Sequence, residues 1–193
     1  MSPFAHLRPQ INGGIFITFA RKHNNGCGSC APNMAKIQFE PIGIIRSPFK
    51  DIDGMPIQPR GAEGLEGVLE MDPRYEEGLQ DLGGFSHIFL IYHFHLSDGY
   101  SLKVKPFLDK EYRGVFSTRA PKRPNPIGLS VVELVKVMGS DIYVRNIDVI
   151  DGTPLLDIKP YVPEFDHFQT DSTGWLSARS GQVSRARADR RFG

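Results

Sequence analysis

Apolar residues recur in short runs separated by turn residues, and this pattern predicts many short β-strands. Residues 65–71 alternate apolar and polar side chains, which is typical of a strand with one buried face. Residues 86–96 are apolar or aromatic on both faces and predict a buried central strand. The predicted strands comprise residues 39–46, 65–71, 86–96, 114–118, 128–138, 140–150 and 155–159.

Helical patterns are scarce in the chain. Pro73 opens one predicted short helix near residues 74–82. The 15 prolines and 20 glycines favour short strands and turns over a helical bundle. Gly139-Ser140, between two β-branched runs, predicts a hairpin. Because an open sheet would expose its edges, the sequence predicts a mainly β fold, namely a small antiparallel β-barrel with few short helices.

Three regions of the chain differ in composition. Residues 1–36 predict an N-terminal extension, either a functional arm or a dispensable lead, with a short strand at 15–20. Residues 37–166 predict the barrel domain, and residues 167–193 predict a short basic tail. The extension holds the only two cysteines, Cys27 and Cys30, whose spacing suits a redox pair or half of a zinc site.

Charge and hydropathy set limits on location and partners. No membrane-spanning run and no signal-peptide pattern are present, which predicts a cytoplasmic protein. The net charge of +1 does not by itself indicate a nucleic-acid partner, so RNA binding would require a local basic patch. Two basic concentrations are present, the first at Arg119, Lys122 and Arg123 and the second at Arg179, Arg185, Arg187, Arg190 and Arg191.

The segment RAPKRPNPIGLS, residues 119–130, combines cationic side chains with three prolines. Proline fixes its own φ and holds the preceding residue extended, so this segment predicts a stiff loop. Such a loop displays Arg and Lys at little further entropic cost and suits carboxylate or phosphate binding. A rigid connector on the rim of a sheet is the alternative interpretation.

The segment DVIDGTPLLDIKPY, residues 148–161, begins with good turn chemistry at 151–154. Asp157, Lys159 and Tyr161 follow at alternate positions, so a strand would place them on one face. A carboxylate, an amine and a phenol on one face of an apolar strand are unfavourable unless they are paired or used.

Three histidines of the central strand, His87, His93 and His95, have the same parity and are predicted to face one side. Two histidines at i and i+2 suit a metal, but Phe89 and Ile91 share their face and no third ligand is close in sequence. Core or pocket histidines are therefore favoured over metal ligands. The chain also has no dinucleotide fingerprint, phosphate-binding Walker loop, zinc-protease motif or nucleophile elbow.

Four segments together resemble the TrmO/TsaA-like family of tRNA methyltransferases. They agree with the family in order and spacing across residues 37–166, and they read FEPIGIIRSPF (39–49), FSHIFLIYHFH (85–95), RAPKRPNPIGLS (119–130) and DVIDGTPLLDIKPYVPEFD (148–166). The resemblance implies a β-barrel methyltransferase that uses S-adenosylmethionine, usually as a homodimer with the cofactor near the subunit junction. The implied reaction is N6-methylation of N6-threonylcarbamoyladenosine, 3′ of the anticodon in a tRNA.

The resemblance also implies a set of cofactor-binding residues. Leu96 stands where a polar residue is common in the family, so its implied role is through the backbone. The longer bacterial members have a larger C-terminal extension than this chain. The implied cofactor residues are Pro59, Arg60, Gly61, His95, Leu96, Arg119, Leu129, Asp151, Gly152, Thr153 and Pro154.

The implied reaction suggests roles for further side chains. Arg119 is expected to anchor a carboxylate of the cofactor or substrate. The substrate-binding residues are expected to be Lys122, Arg123 and Asn125, with Lys122 or Arg123 pairing with the threonyl carboxylate. Removal of the N6 proton requires a base within hydrogen-bond reach. The candidate catalytic residues are Asp157 and His95 as the base, with Lys159 or Tyr161 orienting it.

Other functions are compatible with parts of the sequence. A non-catalytic barrel that binds RNA or a nucleoside would not need the cluster of Asp157, Lys159 and Tyr161. A methyltransferase of the same fold acting on a small molecule is compatible with every motif, since function is a property of the site. A redox or metal protein would depend on Cys27 and Cys30.

Overall fold

The computed structural model describes residues 35–179 and 186–192. The predicted strand at 15–20, the pair Cys27 and Cys30, and Arg185 lie outside these residues. The strands and helices of the described ranges all belong to the unit that begins at Gln38.

Six antiparallel strands close into a barrel, which confirms the predicted fold class. The described ranges contain eight strands, six of them in the barrel, namely β1 (Gly43–Arg46), β2 (Glu66–Met71), β3 (His87–His93), β4 (Lys103–Val104), β5 (Arg113–Gly114), β6 (Ile127–Met138), β7 (Asp141–Arg145) and β8 (Thr153–Pro160). The order around the barrel is β1-β2-β7-β6-β3-β8, and β4 and β5 form a separate two-stranded sheet. Because β1 pairs with both β2 and β8, the barrel has no free edge.

Alternation along the strands fills the barrel interior. Ile88, Leu90 and Tyr92 of β3 point inward, while the residues between them are half-buried on the outer face. Leu69 of β2 and Leu155 of β8 are completely buried in the same core. Each of these aliphatic side chains stabilises the fold by about 1.5–3 kcal/mol through its removal from water.

The helices are short, as predicted. The predicted helix after Pro73 is a 3-10 helix, Pro73–Leu79, and the side chain of its N-cap residue Asp72 accepts a hydrogen bond from the Arg74 amide. Further 3-10 helices lie at Pro59–Gly61, Leu82–Gly84, Val115–Ser117, Gly174–Arg179 and Arg190–Phe192. An α-helix, α1, comprises Pro163–Asp166.

The strand bounds differ from the predicted ones where local backbone geometry intervenes. The predicted strand at 140–150 ends at Arg145, because Asn146 has a φ of +67° and its amide turns to bond Leu65 O. The predicted strand at 114–118 was wrong. There the chain forms a 3-10 turn, because Thr118 N bonds Val115 O and the Val115 side chain packs into a second apolar cluster.

Residues 186–192 pack back onto the rest of the fold, and we call them the C-terminal strap. Ala188 exchanges backbone hydrogen bonds with the loop at 54–55, at 2.9 Å to Gly54 N and 2.7 Å to Met55 O. Phe192 is 6% exposed and packs edge-to-face on Phe107, with ring centroids 5.0 Å apart. This part of the predicted tail therefore belongs to the packed structure.

Within the described ranges, none of the helices is long and apolar enough to cross a membrane.

Replacing Gly128 by alanine is expected to destabilise the barrel by about 3 kcal/mol, because the added methyl group would overlap the ring of Tyr92. The ring is confined within the core and has little room to shift. Urea unfolding measures the effect. Gly114→Ala is the matched control, since a methyl group there meets no atom within 4 Å and should change stability by no more than about 0.5 kcal/mol. Equal unfolding midpoints for the two variants would contradict close packing of the ring on position 128.

Candidate functional site

A cavity of about 310 Å³ opens at one rim of the barrel. Tyr92, near the end of β3, pairs with Gly128 at the start of β6 and with Leu155 near the start of β8, so antiparallel pairing brings the three strand ends to one place. The loops that leave these ends form the cavity walls. The lining residues are Ile52, Met55, Pro56, Ile57, Gln58, Tyr92, Phe94, His95, Leu96, Ser97, Phe107, Thr118, Arg119, Pro121, Arg123, Ile127, Gly128, Leu129, Asp148, Val149, Ile150, Thr153, Ala188 and Phe192.

A hydrogen-bonded chain joins Tyr92, Ser130 and Asp148 beside the cavity. The Ser130 hydroxyl donates to Asp148 Oδ1 at 2.7 Å and lies 3.1 Å from the Tyr92 hydroxyl. Burial raises the pKa of Asp148 to about 6, against the opposing effects of the Ser130 hydrogen bond and the Arg119 charge. Burial, with the nearby Asp148 charge, also raises the pKa of Tyr92. The phenol is therefore a neutral hydrogen-bond donor at physiological pH.

His95 lines the cavity with a neutral ring. The strand β3 ends at His93, so the alternation that was predicted to place His95 on the same face as His87 and His93 does not extend to it. Burial, and then the neighbouring His93, lower the pKa of His95. Its buried Nδ1 and the buried Ser97 Oγ have no hydrogen-bond partner among the described residues. Buried polar atoms left unpaired are unfavourable, and a polar ligand would satisfy both of them.

Arg119 supplies a cation at the cavity. Its side chain donates a hydrogen bond from Nη1 to Gln58 Oε1 at 3.0 Å, and this amide carries no charge to neutralise it. Gln58 lines the cavity, whereas the predicted cofactor residues Pro59, Arg60 and Gly61 follow it as a 3-10 helix and are not lining residues. The pair Arg119 and Gln58 thus connects this loop to the rigid segment after 119.

The turn at 151–154 is divided between structural and cavity roles. Thr153 is buried in the cavity wall, and its hydroxyl donates to Ile150 O at 2.7 Å. The Asp151 carboxylate instead accepts from Ser47 N at 3.1 Å and lies 2.6 Å from Lys50 Nζ, which lowers the pKa of Asp151. Gly152 has a φ of +78°, and Pro154 pairs with Ile44 of β1. Three of the four predicted cofactor residues in this turn, Asp151, Gly152 and Pro154, therefore do not line the cavity.

The predicted substrate residues lie in three different environments. Arg123 lines the cavity and donates a hydrogen bond from Nη1 to Thr118 O at 2.8 Å, so its side chain stabilises the loop that contains both residues. Lys122 faces a separate depression next to the cavity. Asn125 is exposed, and its carbonyl accepts from the Ile127 amide at 2.8 Å.

The structure separates the predicted catalytic residues. Asp157 Oδ2 lies 2.8 Å from Lys159 Nζ, and these side chains are 44% and 61% exposed. Tyr161 packs at 5.5 Å on Phe89, which points to the outer face of β3. These three residues thus lie together outside the barrel, whereas His95 lines the cavity.

Sequence reasoning missed several cavity residues. Asp148 lines the cavity and Ser130 donates a hydrogen bond to its carboxylate. Each is a polar residue between two apolar neighbours, and this was the signal that could have identified them. Gln58 and Phe192 gave no such signal, because only the fold brings the loop and the C-terminal strap to the barrel rim.

Residues 44–167 match the family model of the tRNA-methyltransferase O N-terminal domain. A "Probable S-adenosyl-L-methionine-binding protein" of Pyrococcus abyssi is 52% identical over 156 residues, which cover 81% of this chain and 85% of the relative. The "tRNA (adenine(37)-N6)-methyltransferase" of Homo sapiens is 40% identical over 148 residues, which cover 73% of this chain but only 34% of the human protein. The crystal structure of TrmO from Pseudomonas aeruginosa matches with a TM-score of 0.62 and 38% identity, over 73% of this chain and 63% of that chain.

The free energy of unfolding of an Asp148→Asn variant is expected to increase relative to that of wild type as pH rises from about 4 to 7. The pKa of this carboxyl is raised from 3.8 to about 6 in the folded state, so the unfolded chain releases the proton at lower pH than the folded protein does. Wild-type stability therefore falls through this window, by at most about 3 kcal/mol, and the asparagine variant lacks this loss. Urea unfolding at a series of pH values measures the difference.

Asp151→Asn is the control for this pH series. Its pKa is lowered by Lys50, so the stability that the carboxylate contributes is fully present above about pH 5. The difference between this variant and wild type should therefore stay flat from pH 5 to 7. Parallel curves for Asp148→Asn and wild type would show that the Asp148 carboxylate is not buried beside the cavity.

Proposed function

The chain belongs to the tRNA-methyltransferase O family, and on this premise we propose that it methylates the N6 atom of N6-threonylcarbamoyladenosine beside the anticodon of a tRNA, with S-adenosylmethionine as the methyl donor. One observation carries the proposal. Five of the residues that the family resemblance assigned to the cofactor come from distant parts of the chain and line a single cavity. They are His95, Leu96, Arg119, Leu129 and Thr153.

The residues of the cavity fit the chemical groups of S-adenosylmethionine. The mainly apolar walls suit the adenine ring, and a few polar groups at fixed positions are typical of cofactor sites. His95 Nδ1 and Ser97 Oγ are buried without partners and would bond the polar edge of the base or ribose. Arg119 would pair with the carboxylate at the amino-acid end, because its guanidinium forms no salt bridge with a described carboxylate and its hydrogen bond goes to the uncharged Gln58 amide.

Asp148 is the acidic counterpart of Arg119 in this cavity. A cationic ligand nearby would favour the ionised carboxylate and lower its pKa from about 6. The Ser130 hydroxyl, which donates to Asp148 Oδ1 at 2.7 Å, holds the carboxylate in position. Cation binding and proton release at Asp148 are therefore expected to be linked.

When bound, the cofactor supplies an electrophilic methyl group. The protein must hold the accepting nitrogen in line with it, and such alignment accounts for much of the acceleration in bimolecular transfers. His95 is the residue that we propose as the proton acceptor for N6–H, through Nε2 while Nδ1–H donates to the cofactor, since its lowered pKa keeps the ring neutral. No contact with the described cavity supports the catalytic roles predicted for Asp157, Lys159 and Tyr161.

We also propose that the protein acts as a homodimer in the cytoplasm, where its tRNA substrate would be met. Leu96, Ile127 and Leu129 at the cavity are 50%, 39% and 47% exposed, so apolar surface adjoins the site. A second subunit would cover these side chains and complete the walls.

Replacing Arg119 by alanine is expected to weaken S-adenosylmethionine binding by about tenfold, through loss of a charge-assisted hydrogen bond. Calorimetric titration of wild type and variant measures it. Arg46→Ala is the control, because Arg46 pairs with Glu70 on the barrel exterior and should not alter binding. Equal affinities of wild type and Arg119→Ala would remove Arg119 from the site.

Transfer of a labelled methyl group to tRNA tests the reaction itself. The expected result is incorporation into tRNA that carries threonylcarbamoyladenosine and none into the unmodified transcript. Binding of the cofactor by wild type without transfer to either RNA would instead support the small-molecule methyltransferase alternative.

A further inference from the structure

We propose that a second depression beside the cavity binds a single-stranded segment of RNA, with lysines on its phosphates and Tyr112 against one unpaired base. The depression has a volume of about 610 Å³, and we call it the lysine groove. This inference rests on the proposed function and adds where the RNA would bind. The lining residues are Ser101, Lys103, Val104, Lys105, Tyr112, Lys122, Asp189, Arg191 and Phe192.

The charge of the lysine groove suits an anion. None of Lys103, Lys105 and Lys122 forms an ion pair with a residue in the described parts of the chain. Among the described lining residues the one carboxylate, Asp189, is paired with Arg191 at 2.5 Å. The groove therefore has an excess of positive charge, although the chain as a whole has a net charge of only +1. Phosphate neutralisation by such lysines supplies affinity without sequence preference.

Two carboxylates near the groove share one arginine. Asp109 and Glu111, which flank the loop before β5, lie 2.7 Å and 3.0 Å from Arg113 Nη2. The guanidinium cancels one of these two negative charges, and the one that remains is smaller than the positive excess of the groove. An RNA strand would meet little repulsion on this side of the molecule.

The backbone that presents the lysines is well fixed. Lys103 pairs with Gly114 in the β4–β5 sheet, and the Ser101 hydroxyl donates to Lys103 O at 2.6 Å. The Ser101 amide bonds Lys122 O at 3.2 Å, and Arg191 of the strap donates to Pro106 O at 3.0 Å. Lysines from two segments are therefore held at one surface, and less ordering is needed on binding.

Tyr112 supplies the feature that distinguishes nucleic acid from other polyanions. Its side chain is 71% exposed at the groove, so the ring is available to a partner without rearrangement. Unpaired bases stack on such rings, and each stacked base contributes substantially to single-strand binding.

The groove adjoins the cavity. Phe192 lines both, so one side chain separates the phosphate-binding lysines from the proposed cofactor site. An RNA loop held in the groove would have a neighbouring base within reach of the cavity, as an enzyme that modifies an extruded base requires.

Fluorescence anisotropy with a labelled anticodon stem-loop RNA tests the inference. The double variant Lys103→Ala/Lys105→Ala is expected to bind about tenfold more weakly, with a salt dependence reduced by about two phosphate contacts. Lys136→Ala is the control, because Lys136 lies over Tyr143 on the barrel and does not line the groove. Both proteins should bind S-adenosylmethionine as wild type does, which shows that the fold is intact.

Substitution of Tyr112 separates stacking from charge. Tyr112→Leu should weaken RNA binding by about tenfold, and Tyr112→Phe should retain it, since either aromatic ring stacks. Heparin, a polyanion without bases, should bind equally to both variants.

Two outcomes would overturn the inference. RNA affinity and methylation that stay unchanged in the double lysine variant would place the RNA elsewhere and leave the proposed function standing. Wild type that binds cofactor but neither binds nor methylates the RNA would overturn the groove and the tRNA substrate together.

Discussion

The packing of the Tyr92 ring against the bare backbone of Gly128 determines the rim of this barrel. A side chain at position 128 would occupy the space of the ring, so β3 and β6 can approach as they do only with glycine there. With the ring in place, its hydroxyl lies 3.1 Å from Ser130 Oγ and continues to Asp148. One steric constraint therefore fixes both the pairing of two strands and the polar chain beside the cavity.

Some polar residues in the loops around this rim stabilise the loops, and others have unpartnered polar atoms that suit ligand binding. Asp151 and Arg123 resemble ligand-binding residues in sequence, but their polar atoms are engaged with Lys50 and with loop carbonyls. His95 and Ser97 have the opposite arrangement, since His95 Nδ1 and Ser97 Oγ are buried and have no hydrogen-bond partner within the described structure. Rigid supports around a few unsatisfied groups are what a preorganised binding site requires.

Sequence reasoning predicted the barrel because period-two alternation and Gly139-Ser140 are local signals. It made the predicted strands too long where a single backbone angle ends the strand. This happens at Asn146, whose positive φ has no clear sequence pattern. The resemblance predicted cofactor roles for His95 and Arg119, which line the cavity, but the sequence could not show that Asp157 forms an ion pair outside the barrel. The packing of Phe192 could not be predicted, because a contact between distant segments produces no periodic pattern in the sequence of either segment.

Closure of the barrel has a kinetic consequence for the site. Ser47 and Asp151, which join the ends of the closing seam between β1 and β8, are 104 positions apart in the chain. Contacts of such separation form slowly, whereas the β6–β7 hairpin needs only a two-residue turn. We expect the hairpin to appear early on the folding pathway and the seam to close late. A ligand of the rim would then find no binding site in partly folded chains, and it would prolong the lifetime of the native state without accelerating its formation.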